Sequence, residues 1–268
     1  MLHLLQLEWL KWRRHRAFQI FMVAYAILLP AGLLLGKQLP DLPDPIGTTE
    51  VLFIFPTVWQ YLSFVGNWVS FFLFGFLSIV MVTSEYSFKT VRQNIMTGLT
   101  RKQFLLGKIY LFGLLALLAT LYYTVVALGI GYFHTDVIRW GKVWQNASYI
   151  PRYFLLCFGY MSFGLLVGFL VRRTGLALFL YFAYATIGEL ILRWGIHFQL
   201  IQNKTIHYYP IKSFSDLSPL PFQNLAEEFM RKEGFPLFLG QTEVFIVAII
   251  YIALMIFLVF RRFLKVDL

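Results

Sequence analysis

Six stretches of this chain are long and apolar enough to cross a bilayer, and that limits what it can fold into more than any other feature. They are residues 18–35, 59–82, 109–133, 153–171, 174–192 and 244–260. A spanning helix needs about 20 predominantly apolar residues, because hydrocarbon offers no water to a backbone left unpaired. Charge content agrees with this. Charged residues are 13% of the sequence and hydrophobic ones 59%, against roughly 25% charged in an ordinary soluble domain. Such a chain cannot clothe a soluble core in polar surface. Its 19% aromatic content suits lipid contact and interfacial belts. The expected fold is an all-α integral membrane protein, a single transmembrane domain over residues 1–268 with six transmembrane helices. The first stretch carries no small-residue cleavage pattern and is expected to stay as an anchor. Cys157, the one cysteine, sits inside an apolar run and has no internal disulfide partner.

Lys and Arg placement sets orientation. With the N-terminus inside, 14 of the 23 basic residues fall on the cytoplasmic side with only three acids, Glu8, Glu85 and Asp267. The other nine basic residues face outward with ten acids. Six spans then put both termini in the cytoplasm of a multi-pass protein of the cell (plasma or inner) membrane. The net charge of +10 is distributed by membrane side, so no nucleic-acid partner is implied. Four parts do not span. Residues 1–16 mix Leu and Trp with Lys11, Arg13, Arg14 and Arg16, and read as an interfacial helix on the inner surface. Residues 36–57 form an outer loop, 83–108 an inner segment and 193–241 a long outer segment.

Catalytic signatures are missing from the sequence. No G-x-x-x-x-G-K-[ST] phosphate cradle exists, so ATP hydrolysis by this chain alone is not expected, and no Cys/His or H-E-x-x-H metal spacing is present. Glu227, Glu228 and Arg231 read as a solvated amphipathic stretch. Asn146-Ala-Ser148 and Asn203-Lys-Thr205 fit glycosylation acceptors that would face outward. Within the second span, Gln60, Ser63, Asn67 and Ser70 fall at helical spacing on one face. That face either bonds neighbouring helices or lines a path through the membrane. Glu189 lies in the fifth span. It either pairs with Arg193 one turn on or serves the path. Gly164-x-x-x-Gly168 marks close helix packing in the fourth span.

The inner segment 83–108 is the most informative. Two short helical stretches are expected on either side of Gly98, with Thr100 capping the second and Gln103 as its reciprocal partner. Here the chain resembles the membrane subunit of an ABC-2 type transporter. Glu85 just after span two, then Thr90, Arg92 and Gly98, then Thr100-Arg101, Leu105-Leu106 and Lys108 match that family's pattern. Lys89 stands where the family often has Gly, and the Pro often seen before the Ser/Thr-Arg is missing. The layout and the Leu217-Ser-Pro-Leu-Pro-Phe222 run are similar as well.

The resemblance implies a permease that pairs with a second copy or paralogue and binds cytoplasmic ABC ATPase subunits. Those partners would bind ATP and Mg; this chain would hold no cofactor. It implies an exporter in which a short coupling helix transmits motion through Glu85, Thr90, Arg92, Thr97, Gly98, Thr100 and Arg101. Glu85 is expected to pair with a cation on the partner or with Arg92 or Arg101. Spans two and five would line the path, through Gln60, Ser63, Asn67, Ser70, Tyr181, Tyr184 and Glu189. The alternatives are a stand-alone channel or secondary carrier, and a membrane-embedded enzyme. The central thirds of the spans carry no Asp, Glu, Lys or Arg, which disfavours ion-coupled carriage, and no catalytic constellation supports an enzyme.

Overall fold

A backbone in hydrocarbon must close its hydrogen bonds within its own segment, and this chain does so with helices. The structure, a computed structural model, describes residues 2–38, 48–201, 204–221 and 239–265, and every regular element among them is helical. In chain order they are α1 (Leu2–Trp12), α2 (Arg16–Leu34), α3 (Thr57–Ser87), α4 (Thr90–Met96), α5 (Arg101–His134), α6 (Tyr149–Val171), α7 (Thr174–Ala183), α8 (Pro210–Ser215) and α9 (Gln241–Lys265), with short helical turns between them.

Five of these are long and apolar enough to span: α2 with the 3-10 turn after it, α3, α5, α6 and α9. The expected span over 174–192 is not one straight helix. After α7 the chain continues as π-helical turns, Tyr184–Gly188 and Ile191–His197, and the two halves are bent by 40°. They make a sixth span only as a broken one. π turns are frequent at functional sites. At the break stands Glu189, whose carboxylate accepts the backbone N–H groups of Ile211 (2.9 Å) and Lys212 (2.6 Å) in the first turn of α8.

At 1.5 Å per residue α3 runs about 46 Å and α5 about 51 Å, well past a hydrocarbon core of roughly 30 Å. Each therefore carries a polar extension, Thr83–Ser87 on α3 and the stretch from Arg101 to Lys108 on α5. Between the extensions the packing is tight. A Cβ on Gly164 would stand 2.0 Å from Ser78 Oγ and 2.6 Å from the Gly75 carbonyl, so α6 meets α3 nearly backbone to backbone. That approach supplies the dispersion contacts that hold helices together when lipid tails are as apolar as the interface. Tyrosines fix the register. The Tyr25 and Tyr153 hydroxyls lie 2.7 Å apart, Ser70 Oγ is 3.1 Å from Tyr153 and 3.4 Å from Cys157 Sγ, and Tyr123 donates to the Trp59 carbonyl at 2.7 Å.

The outer segment after the broken span folds back onto the bundle. Ile211, Phe214 and Leu217 are buried, and the Phe214 ring packs where any Cβ at Gly159 would be. Asn146 donates to the Pro56 carbonyl. Asn203, Glu227, Glu228 and Arg231 lie outside the described residues.

Candidate functional site

The candidate site starts where α3 stops. Lys89 adopts the left-handed backbone (φ 55°, ψ 19°), which turns the chain into the seven-residue α4. Gly98 at φ +107° turns it out again. Thr100 then opens α5 with the expected capping box: its Oγ1 accepts from Gln103 N, and its own N–H donates to Gln103 Oε1 at 2.9 Å. A left-handed non-glycine residue is strained by about 1–2 kcal/mol, at the position where the sequence pattern favours Gly. Lys89→Gly should therefore stabilise the fold by about 0.5–1 kcal/mol, after glycine's own entropy is subtracted. Thermal unfolding in detergent checks this, and a lower melting temperature would contradict the turn as described.

Beneath α4 lies a buried ion cluster. Glu85 is 2% exposed and Lys108 fully buried. Glu85 Oε1 accepts from both Lys11 and Lys108, and Lys108 Nζ also reaches Glu8 Oε2 at 2.5 Å. The rings of Trp12 and Phe104 lie 5.3 and 5.7 Å from the same ammonium. Two acids and two bases leave the cluster formally neutral, which is the condition for burying charge at all. Within the chain this corrects the expected pairing of Glu85 with Arg92 or Arg101. The left-handed turn carries Arg92 away to an exposed position. Arg101 reaches the far side, where Nη1 donates to the Leu264 carbonyl at 3.0 Å and the Phe263 carbonyl at 3.4 Å. A guanidinium on the last turn of α9 satisfies carbonyls that have no helical partner and suits the dipole there. Thr90 Oγ1 bonds back to the Glu85 carbonyl, and Thr97 Oγ1 to the Asn94 carbonyl. One end of the bundle thus gathers α1, α3, α4, α5 and α9.

The polar stripe of α3 meets the folded-back outer segment. Ser63 hydrogen-bonds Ser218; Asn67 donates to Ser215 Oγ at 3.1 Å and accepts from Tyr160 at 2.6 Å. Ser63 is fully buried in that contact, Ser70 is fully buried against Tyr153 and Cys157 of α6, and Gln60 is half-buried at the head of the helix. Tyr181 is buried and donates to the Phe71 carbonyl, while Tyr184 packs on Phe163. Asn67 and Glu189 alone of the path candidates come together, on one cleft of about 290 Å³. Glu189 forms no ion pair within 4 Å with Arg193 among the described residues: the α8 amides hold its carboxylate, and Arg193 Nε donates to the Ile206 carbonyl. Just beyond, Lys212 pairs with Asp216 at 2.5 Å. Burial pushes the Asp216 carboxyl up, against the pull of that ammonium.

A protein-family profile described as ABC-2 family transporter protein matches residues 4–188. The chain belongs to the ABC-2 transporter family. The match covers more than half of the sequence and takes in α1, the ion cluster, α4 and the first π turn. α8 and α9 lie beyond it. No match is found among curated proteins. Members of this family are transmembrane permease subunits of ABC transporters, and the apolar helices make this ABC-2 permease a multi-pass membrane protein. The sequence missed Lys11 and Lys108 as partners of Glu85, and Glu8 as the second acid on Lys108. In the sequence Glu8 and Glu85 are two of only three acids on the basic side, and Glu8 and Lys11 share one face of α1, but neither fact singles out which cation Glu85 meets.

Proposed function

We propose that this permease is the transmembrane subunit of an ATP-driven exporter of the cell membrane, with both termini cytoplasmic. It couples ATP hydrolysis by a separate ABC ATPase, which holds the ATP and Mg, to movement of substrate, and it works paired with a second copy or a paralogue. The observation that carries this reading is how α4 is mounted. Phe88 is 72% and Met96 70% exposed, beside exposed Lys89 and Arg92. Large apolar side chains rimmed by basic ones have the make-up of a docking surface. The root of α4 is Glu85, locked to α1 and α5 through the buried ions. A push on α4 therefore has a stiff route to α3 and α5, two of the long helices. Arg101 extends that route to α9. Asn67 and Glu189 are the best-supported path residues; Gln60, Ser63, Ser70, Tyr181 and Tyr184 would act behind them.

The test is biochemical. The purified chain alone should not hydrolyse ATP, and gentle solubilisation from native membranes should recover an ABC ATPase with it. Substrate movement driven by an ion gradient, with no ATPase present, would overturn the proposal. Orientation has its own check in a Cys157-free background. Cysteines at Asp44 and Asn224 should react with an impermeant thiol reagent added outside intact cells, and one at Gln93 should not. External labelling at Gln93 would reverse the topology.

A further inference from the structure

The cleft shared by Asn67 and Glu189 has walls of unequal chemistry. One side is apolar and aromatic, with Phe71, Trp68 and Leu190. Trp68 is 56% and Leu190 55% exposed, so the cleft is open at its apolar edge, on the flank of two membrane helices. The other side is polar, with Glu189 and Arg193. The carboxylate of Glu189 already accepts two backbone N–H groups. Arg193 differs. Its Nε donates to the Ile206 carbonyl and its guanidinium lies 6.0 Å from the Trp194 ring, while among the described residues no hydrogen bond or ion pair within 4 Å fills its two Nη groups. The wall between the two sides is the π-helical stretch, which contributes Ala185 and Thr186 from the first π turn and Arg193 from the second. Irregular backbone at membrane depth is tolerated where it lines a cavity, and broken helices of this kind build substrate sites in transporters. A volume of about 290 Å³ is at the small end of ligand sites. It suits a headgroup and the start of a chain, with the remainder lying along the exposed Trp68 edge.

We infer that this cleft binds an amphiphile through an anionic headgroup, a phosphate or carboxylate, seated on the Arg193 guanidinium, with its apolar chain leaving past Trp68 and Leu190. A fork of N–H donors matches either anion, and a cationic headgroup finds its one carboxylate already engaged. The inference rests on the transporter reading only in calling this ligand the substrate class; the binding itself does not depend on it.

The test uses the purified chain in dodecyl maltoside, with dodecyl phosphate as probe and dodecyl trimethylammonium as the opposite-charge control, read by thermal shift across a titration. Wild type should bind the phosphate and not the ammonium. Arg193→Gln should weaken binding by about tenfold, the loss of one charge-assisted contact, and Arg193→Lys should retain most of it. Trp68→Ala keeps the guanidinium and its bond to Ile206, so it should fold normally and lose affinity for the dodecyl chain alone. A second arm adds phosphatidylglycerol. Displacement of the probe assigns the site to a two-chain membrane lipid, and its absence assigns it to a single-chain amphiphile; both keep the anionic headgroup. Equal binding by wild type and well-folded Arg193→Gln, or equal binding of the ammonium, overturns the inference. No ATPase and no transport enter the measurement, so its failure leaves the permease reading standing, and failure to recover an ATPase leaves the binding result readable.

Discussion

Replacing Lys108 with alanine should destabilise the folded chain by about 3–5 kcal/mol, the largest effect expected of any single change at the polar end of the bundle. Lys108 is fully buried and is the cation shared by Glu85 and Glu8. Without it, Glu85 keeps Lys11, which is part-exposed, and Glu8 loses the partner that holds α1 on α5. Two carboxylates would then share a pocket with one ammonium, a cost neither can escape without opening the packing around Trp12 and Phe104. Glu85→Gln should be less damaging, because Glu8 still neutralises Lys108. Combining Glu8→Gln, Glu85→Gln and Lys108→Met should recover much of the loss, since a buried ion set exchanged whole for uncharged groups of similar volume is often neutral or better. Melting of the detergent-solubilised variants reads this directly. A Lys108→Ala protein that melts with wild type would mean the cluster is not buried as described.

The second large effect concerns the exposed face of α4 and leaves stability alone. Phe88→Ala, Met96→Ser and Arg92→Glu remove side chains that contact solvent, so each should melt within about 0.5 kcal/mol of wild type. Capture of the ATPase should fall steeply. Central aromatic and Arg positions at interfaces carry about 2 kcal/mol or more, roughly thirtyfold in affinity. The charge reversal should also slow association and change its salt dependence, whereas Phe88→Ala should act mainly by speeding dissociation. Unaltered capture by all three variants would detach α4 from the ATPase role.

What the sequence made legible was whatever depends on neighbours in the chain. The apolar runs predicted five spans to within a few residues at most ends. Thr100 and Gln103 predicted their capping box, and Gly164 and Gly168 their close approach, because each is set by a local pattern. What depended on distant residues was not legible. Glu85 finds Lys11, 74 positions earlier, and Lys108, 23 later, and nothing local distinguishes those lysines from Arg92 or Arg101. That burial also changes what its loss should do. Removing an ion-paired group only 2% exposed should lower abundance as well as coupling. The span over 174–192 looked continuous because π turns have no propensity signature. Its break coincides with the capture of Glu189 by two amides more than 20 residues away. The same long reach hid the return of Phe214 and Ser218 to the bundle.

The most direct test of the account is whether α4 touches an ATPase as the transporter works. A cysteine at Met96 in a Cys157-free chain, carrying a photoactivatable crosslinker, should capture the ABC ATPase subunit in native membranes, and the yield should change when ATP is added. Arg92→Glu in the same chain should lower the yield without lowering abundance. Crosslinking only to lipid, unchanged by ATP and by Arg92→Glu, would contradict the claim that this helix is where the permease receives its drive.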